Sequence, residues 1–177
     1  RFIPLSIPPI WDPQLMADEV RRVAKKGCHA VTFSENPFKL GWPHIFGDHW
    51  DPFFAACQDE GTIIALHIGS SSTMIEMAPG APIDVMITLT PLNTMNAATD
   101  LLWSPVLRKF PDLQFALSEG GTGWIPYWLE RIDYVYHQHH FWTGQDFGDK
   151  LPSQVAAEHF NYCFISDRIG IQDRHDV

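Results

Sequence analysis

Short apolar runs alternate along the chain with amphipathic segments, and this alternation predicts a repeated strand–helix order. The strand starts lie tens of residues apart, a spacing that requires crossover connections and therefore predicts parallel strands. The runs are almost continuously apolar, as expected when both faces of a sheet are covered. The predicted strands are Phe2–Ile7, Ala30–Ser34, Thr62–Leu66, Leu113–Leu117 and Tyr162–Ile165.

Helical spacing of apolar residues accounts for most of the chain between these strands. Asp12 and Pro13 are the residue types that favour an N-cap and a first helical position. The segment 83–109 predicts one or two helices that break near Pro91 and Pro105. The other predicted helices are Gln14–Lys26, Trp50–Glu60, Trp124–His140 and Pro152–His159.

An α/β chain with parallel strands folds either as an open doubly wound sheet or as a closed barrel. Neither the glycine fingerprint of dinucleotide-binding folds nor a P-loop follows any predicted strand, and both absences favour the barrel. A complete (β/α)8 barrel needs eight strands in about 250 residues. The 177 residues therefore predict one domain, residues 1–177, that is an incomplete TIM barrel. Its open strand edges predict a homo-oligomer, which we expect to be a dimer.

The overall charge narrows the range of partners. A formal net charge of −9 without a basic cluster argues against nucleic-acid binding, because phosphate binding needs a basic surface. No apolar run approaches the roughly 20 residues of a membrane-spanning helix. Three cysteines in no metal or redox spacing predict buried free thiols. With no signal-peptide pattern, these features predict a cytoplasmic protein.

Polar side chains follow four successive predicted strands, and they are Glu35, His67, Glu119 and Asp167. In a barrel, the carboxyl ends of the strands surround the mouth of the active site. Alternation along a strand puts each of these side chains in phase with the residue two positions earlier. The alternative interpretation is that each strand ends in a polar residue because the chain meets water there.

His67 and Glu119 are the candidate catalytic residues. A neutral imidazole at the end of an aliphatic strand is a suitable ligand for Zn²⁺, Fe²⁺ or Mn²⁺. Glu119 precedes two glycines, which let the backbone approach a ligand, so its carboxylate is a candidate general base. The alternatives are a structural, hydrogen-bonded histidine and a turn carboxylate that caps the helix near Trp124.

Further candidates lie in a loop rich in aromatic residues that follows the second predicted strand. This loop overhangs the expected active-site mouth, and we predict substrate contacts for Trp42 and His44, together with Glu35 and Asp167. The histidines of the segment 137–140 end a long helix, where a positive charge complements the helix dipole. We interpret that cluster as surface.

The order of several motifs resembles one known family, the amidohydrolase-2 branch of the amidohydrolase superfamily, which includes aromatic-acid decarboxylases. The motifs are Arg1-Phe2-Ile3-Pro4-Leu5, Trp50-Asp51-Pro52-Phe53, Leu66-His67-Ile68-Gly69-Ser70, Phe110-Pro111-Asp112-Leu113, Glu119-Gly120-Gly121 and Trp124-Ile125-Pro126-Tyr127. The resemblance covers nearly the whole chain and implies a TIM barrel of which about strands three to seven are present. It further implies one catalytic divalent metal, Zn or Mn.

The resemblance also assigns roles to the two candidate catalytic residues. His67 matches the family's metal-ligating histidine on the fifth strand, whereas Glu119 stands where the family has an acid/base histidine. The implied function is a metal-dependent hydrolase or carboxy-lyase whose metal activates water or polarises a small aromatic or carboxylated substrate. Because the family's other metal-binding motifs are not found in the chain, we expect it to be inactive alone. The alternative is an inactive barrel fragment or a binding module without the metal.

Overall fold

A computed structural model describes residues 2–172 and residue 175 of the chain. Within them, four parallel strands form one sheet in the order β1-β2-β3-β4. The strands are β1 (Ala30–Phe33), β2 (Ile63–His67), β3 (Phe115–Ser118) and β4 (Phe160–Tyr162). The helices are α1 (Pro13–Ala24), α2 (Asp51–Asp59), α3 (Ile83–Leu89), α4 (Pro91–Trp103), α5 (Val106–Lys109), α6 (Ile125–Thr143), α7 (Pro152–His159) and α8 (Arg168–Gln172).

The two faces of the sheet differ in burial. Alternate strand residues such as Val31, Ile64 and Phe115 are completely buried in the core that the sheet shares with the helices. On the opposite face Ile63 remains 40% exposed, and the neighbouring side chains are small or only half-buried. Helices cover one face, and the other face is partly open, as expected for a section of barrel wall.

Local sequence sets where α1 begins. The Asp12 side chain accepts hydrogen bonds from the backbone N–H groups of Gln14 and Leu15 at 2.8 and 3.1 Å. Pro13 occupies the first helical position, where its missing N–H leaves no unsatisfied donor. The predicted cap is therefore confirmed in its geometry, and α1 packs its buried face against α2.

Aromatic rings form the centre of the core between β1 and α2. The Phe33 ring lies 5.0 Å from the ring of Trp50 and 5.2 Å from that of Phe53, measured between centroids. Phe54 continues the cluster at 5.9 Å from Phe33. Trp50 also donates its indole N–H to the Pro43 carbonyl at 2.8 Å, so this buried polar group is satisfied.

The first and last predicted strands differ from the structure. In the segment Phe2–Ile7, only Ser6 pairs with β1, through one parallel bridge to Val31. Prolines at positions 4, 8 and 9 interrupt its row of N–H donors, which explains why pairing does not extend. The last strand is Phe160–Tyr162 rather than Tyr162–Ile165, because pairing begins as soon as α7 ends, with Phe160 opposite Phe115.

The helical segments also needed correction. The segment 83–109 forms three helices, not one or two. Pro91 is the first residue of α4, and Pro105 immediately precedes α5. The long helix α6 runs on to Thr143, where Gly144 ends it in a left-handed conformation. Cys28 and Cys57 are buried as predicted, but Cys163 is exposed. None of the described helices is both long enough and apolar enough to cross a membrane.

The aromatic cluster makes a testable contribution to stability. We expect Phe54→Ala to lower the free energy of unfolding by about 3–5 kcal/mol, because it opens a cavity among rings that cannot collapse into it. Phe141→Ala, at an exposed position on α6, is the matched control and should change it by less than about 0.5 kcal/mol. Urea denaturation followed by tryptophan fluorescence measures both; equal effects would contradict this description of the core.

Candidate active site at the strand ends

Strand register brings His67 to the open face of the sheet. His67 pairs with Ser118 across β2 and β3, in phase with the partly exposed Ile63 and Ala65. Its Nδ1 lies 2.8 Å from the Ile68 carbonyl oxygen. Because a carbonyl only accepts, Nδ1 must carry the proton of this hydrogen bond. Nε2 is therefore the nitrogen that faces the site.

Glu119 reaches the same place by an unusual backbone conformation. Its phase along β3 matches Leu117, whose side chain is buried against the helices. However, Glu119 has a φ of 59°, in the left-handed region that non-glycine residues rarely adopt. Its Oε2 lies 3.4 Å from His67 Nε2, and the two side chains are 48% and 52% exposed. Such rare conformations often occur at functional sites.

The turn after Glu119 is tightly packed. A Cβ at Gly120 would collide with the side chain of Thr94 on α4, so the close approach of this backbone requires glycine. The Gly120 carbonyl accepts a hydrogen bond from the Trp124 indole N–H at 2.9 Å. These contacts hold the turn between α4 and α6, and thereby the backbone that carries Glu119.

Glu35 is a buried residue that ties together the ends of β1 and β2. Its Oε1 accepts hydrogen bonds from Gly69 N–H at 3.0 Å, Ser71 N–H at 3.3 Å and Ser71 Oγ at 2.7 Å. In return, Ser70 Oγ accepts from the Glu35 N–H at 2.9 Å. The side chain is only 6% exposed. Glu35 thus organises the loop that directly follows His67.

Asp167, the fourth strand-end residue, has a structural role in the described contacts. Its carboxylate accepts from the backbone N–H groups of Thr122, Gly123 and Gly170, the last two at 2.8 and 3.2 Å. The hydrogen bond from Thr122 is the main reason why the pKa of Asp167 lies below its ordinary value. None of these contacts joins it to His67 or Glu119.

In the loop rich in aromatic residues that follows β1, some side chains pack into the core and others line a cavity. His44 and Glu35 both line a cavity of about 290 Å³ next to the loop. Trp42 instead packs, partly buried, against the hydrophobic core and does not line this cavity. The histidines of the segment 137–140 lie near the carboxyl end of α6, where His140 Nδ1 bonds the Tyr136 carbonyl of its own helix. Their assignment to the surface agrees with this arrangement.

Sequence reasoning missed two residues of this region. Ser71 belongs to a run of three serines that by itself predicts only a polar loop, yet it is buried and bonds Glu35 twice. Asp100 lines the same cavity as Glu35 from the C-terminal part of α4. A single aspartate within a helical pattern carries no signal of what it faces, because the neighbouring loop comes from a distant part of the chain.

The described residues do not make a complete metal centre. Among residues 2–172 and 175, no group of three or more His, Cys, Asp or Glu side chains converges on one point. His67 Nε2 and Glu119 Oε2 offer two adjacent donors, whereas catalytic zinc sites use three protein ligands. A complete centre would need further ligands from outside these residues.

A comparison with protein families agrees with the geometry. The amidohydrolase family model Amidohydro_2 matches residues 1–169. The chain therefore belongs to the amidohydrolase family, as its motifs predicted. No curated protein sequence matches the chain.

Solved structures of the same fold include three decarboxylases. One is 5-carboxyvanillate decarboxylase from Sphingomonas paucimobilis, with 21% identity, a TM-score of 0.69, and coverage of 92% of this chain and 48% of that one. The Novosphingobium aromaticivorans enzyme, with bound manganese and 3-methoxy-4-hydroxy-5-nitrobenzoic acid, has 20% identity, a TM-score of 0.64, and coverage of 92% and 47%. A 2,6-dihydroxybenzoate decarboxylase from Rhizobium has 18% identity, a TM-score of 0.63, and coverage of 92% and 51%. The chain spans about half the length of these structures.

The hydrogen bonds of Asp167 predict a dependence of stability on pH. Because the folded pKa is depressed, the stabilisation is complete above the ordinary aspartate pKa of about 3.9 and is lost as the pH falls through the lower folded value. We expect Asp167→Asn to destabilise the chain at pH 7 and the difference from wild type to shrink towards pH 2. Thermal unfolding across this range measures it, with the exposed Asp112→Asn as control. A difference that stays constant with pH would contradict the assignment.

Proposed function

We propose that this chain forms one side of the active site of a metal-dependent amidohydrolase-type enzyme, a carboxy-lyase or hydrolase, that acts on a small aromatic carboxylate. The observation that carries the proposal is the pair of His67 Nε2 and Glu119 Oε2, 3.4 Å apart at the carboxyl ends of adjacent parallel strands. Active sites of barrel enzymes lie at this end of the strands.

The protonation of this pair supports a chemical role. The Ile68 carbonyl holds the proton on Nδ1, so in a neutral imidazole Nε2 presents a lone pair. A lone pair facing a carboxylate oxygen is repulsive, so a proton or a metal cation that lies between Nε2 and Oε2 would stabilise the pair. Both possibilities are catalytically useful, because this position can hold a metal ion or hand a proton to substrate.

We assign separate roles to the two residues. His67 is proposed as one metal ligand, and the Ile68 carbonyl, which accepts from its Nδ1, orients the ring as backbone carbonyls orient other ligating histidines. Glu119 is proposed as the acid/base that delivers a proton to the substrate or removes one from water. The metal's own chemistry belongs to the complete centre, so the only steps assigned to this chain are ligation by His67 and proton transfer by Glu119.

The relatives support the substrate class and the metal. Three of the structural neighbours are decarboxylases by name, two of 5-carboxyvanillate and one of 2,6-dihydroxybenzoate, and one of the three holds manganese and a substituted benzoic acid. Manganese is therefore the metal we favour, with zinc as the alternative. The choice between carboxy-lyase and hydrolase stays open in this proposal, as does the predicted dimer.

A second candidate function is a binding module that retains the barrel wall without catalysis. It is favoured by the lack of a third converging ligand among the described residues and by the half-exposed His67–Glu119 pair. In that case the surface around His67 and Glu119 would bind small molecules without a metal.

Manganese binding separates the two candidates. We expect the wild-type chain to bind one Mn²⁺ weakly and His67→Ala to weaken that binding at least roughly tenfold, because it removes the imidazole donor that the described residues place at the site. Electron paramagnetic resonance titration of free Mn²⁺ measures the affinity. His137→Ala, which removes a surface histidine, is the matched control and should bind like wild type.

Substrate class can be tested in the same samples. Site-bound Mn²⁺ should broaden the NMR signals of added 2,6-dihydroxybenzoate in the wild type and leave them sharp in His67→Ala. Equal Mn²⁺ affinity in both proteins would contradict the metal ligand. Metal binding without broadening of the benzoate would contradict the substrate class and leave His67 as a ligand.

A further inference from the structure

The Glu119 turn, residues 119–123, follows β3 and precedes α6, and parts of the chain that are distant in sequence contact it. Its first residue, Glu119, has a φ of 59°. A non-glycine residue in this left-handed region is strained, and the conformation persists only where the surrounding structure over-determines it. The contacts of the turn therefore decide where the Glu119 carboxylate lies.

Two of these contacts involve the helices on either side of the turn. A Cβ at Gly120 would overlap the side chain of Thr94 on α4, so this close packing stops the turn from moving towards α4. The Trp124 indole N–H donates to the Gly120 carbonyl at 2.9 Å, but Trp124 is the next residue after the turn and moves with it. Neither contact opposes a movement of the turn away from α4.

The contacts that oppose such a movement come from the end of β4 and from the residues that follow it. Gly121 donates its N–H to the Cys163 carbonyl at 3.2 Å. Oδ2 of Asp167 accepts the backbone N–H groups of both Thr122 and Gly123, the second at 2.8 Å. Hydrogen bonds to an ionised acceptor are roughly twice as strong as neutral ones. Among these bonds, the Asp167 carboxylate therefore makes the strongest connection to the turn.

Asp167 is fixed in turn by the helix that it precedes. Its other oxygen, Oδ1, accepts the Gly170 N–H of α8 at 3.2 Å, as an N-cap side chain does. A Cβ at Gly170 would overlap Thr122, so the start of α8 packs directly on the turn. The bond from Thr122 is the main cause of the lowered pKa of Asp167, and the carboxylate is ionised at neutral pH.

We propose that Asp167 is a positioning residue for Glu119, because through the turn it keeps the Glu119 carboxylate 3.4 Å from His67 Nε2. The inference rests on the proposed function, in which Glu119 is the acid/base, for the use of this position. Without the Asp167 carboxylate, the strained backbone of Glu119 relaxes, and its half-exposed side chain moves away from His67 into solvent.

A direct role of Asp167 as a ligand agrees less well with these contacts. Both of its oxygens already accept backbone N–H groups, which a metal ion or a substrate would have to displace. The described part of the chain also contains no group of three converging ligands to which Asp167 could belong.

NMR measures the position of Glu119 directly in the metal-free chain. We expect the wild type to show a nuclear Overhauser cross peak between the His67 ring proton Hε1 and the Glu119 Hγ protons, because Nε2 lies 3.4 Å from the carboxylate. Asp167→Ala removes the acceptor and should abolish this cross peak in the folded protein. Asp167→Asn keeps an oxygen for the turn without the charge, so the cross peak should weaken and not disappear.

Two controls separate a shift of the turn from a loss of folding. A cross peak between the side chains of Leu66 and Leu117, which are buried and pair across β2 and β3, reports on the folded sheet and should persist in every variant. Asp112→Ala removes an exposed aspartate at the opposite end of β3 and should leave both cross peaks unchanged.

An unchanged His67–Glu119 cross peak in folded Asp167→Ala would overturn the inference, because Asp167 would then only stabilise the fold. Absence of this cross peak from the wild type would overturn it as well. If Asp167→Ala does not fold, Asp167→Asn decides, and an unchanged cross peak there is the contrary result. Failure of the chain to bind Mn²⁺ would contradict the proposed metal ligand and would not alter the distance that the cross peak measures.

Discussion

The parallel register of β1, β2 and β3 decides which strand-end side chains can meet. Burial of one sheet face against the helices sets this register, because a shift by one residue would move every core side chain to the open face. With Ile64, Leu66, Phe115 and Leu117 held in the core, His67 has to lie opposite Ser118 on the other face. The position of His67 in the candidate site therefore follows from the packing of the opposite sheet face against the helices.

Glu35 fixes a loop in the same way that the register fixes the strands. Its phase points it towards the buried side, where a carboxylate needs donors, and the loop after β2 supplies three of them. The charge-assisted bonds fix the loop next to His67, and the other carboxylate oxygen, Oε2, is buried without a hydrogen-bond partner among the described residues. One buried residue thus organises the loop beside the proposed metal ligand.

Glu119 is the position at which the motifs of the sequence predict a departure from the family pattern. In that predicted correspondence a carboxylate replaces a histidine, and its Oε2 lies 3.4 Å from His67 Nε2. Its left-handed backbone, and the glycine that must follow it, bring the side chain back from the helix side to the open face. The alternation of side chains along β3 did not predict this turn. A residue with positive φ changes the chain direction, so the alternation between the two sheet faces stops at Glu119.

Local patterns sufficed for the strand–helix alternation, the parallel sheet, the cap of α1 and the breaks near Pro91 and Pro105, because each depends on neighbours in sequence. The family motifs further pointed to a barrel and to His67. Tertiary structure alone decided that Phe160, not Ile165, joins the sheet, that Asp167 caps a turn, and that Asp100 meets Glu35 across a cavity. These outcomes depend on packing between residues tens of positions apart, which no periodicity along the chain encodes.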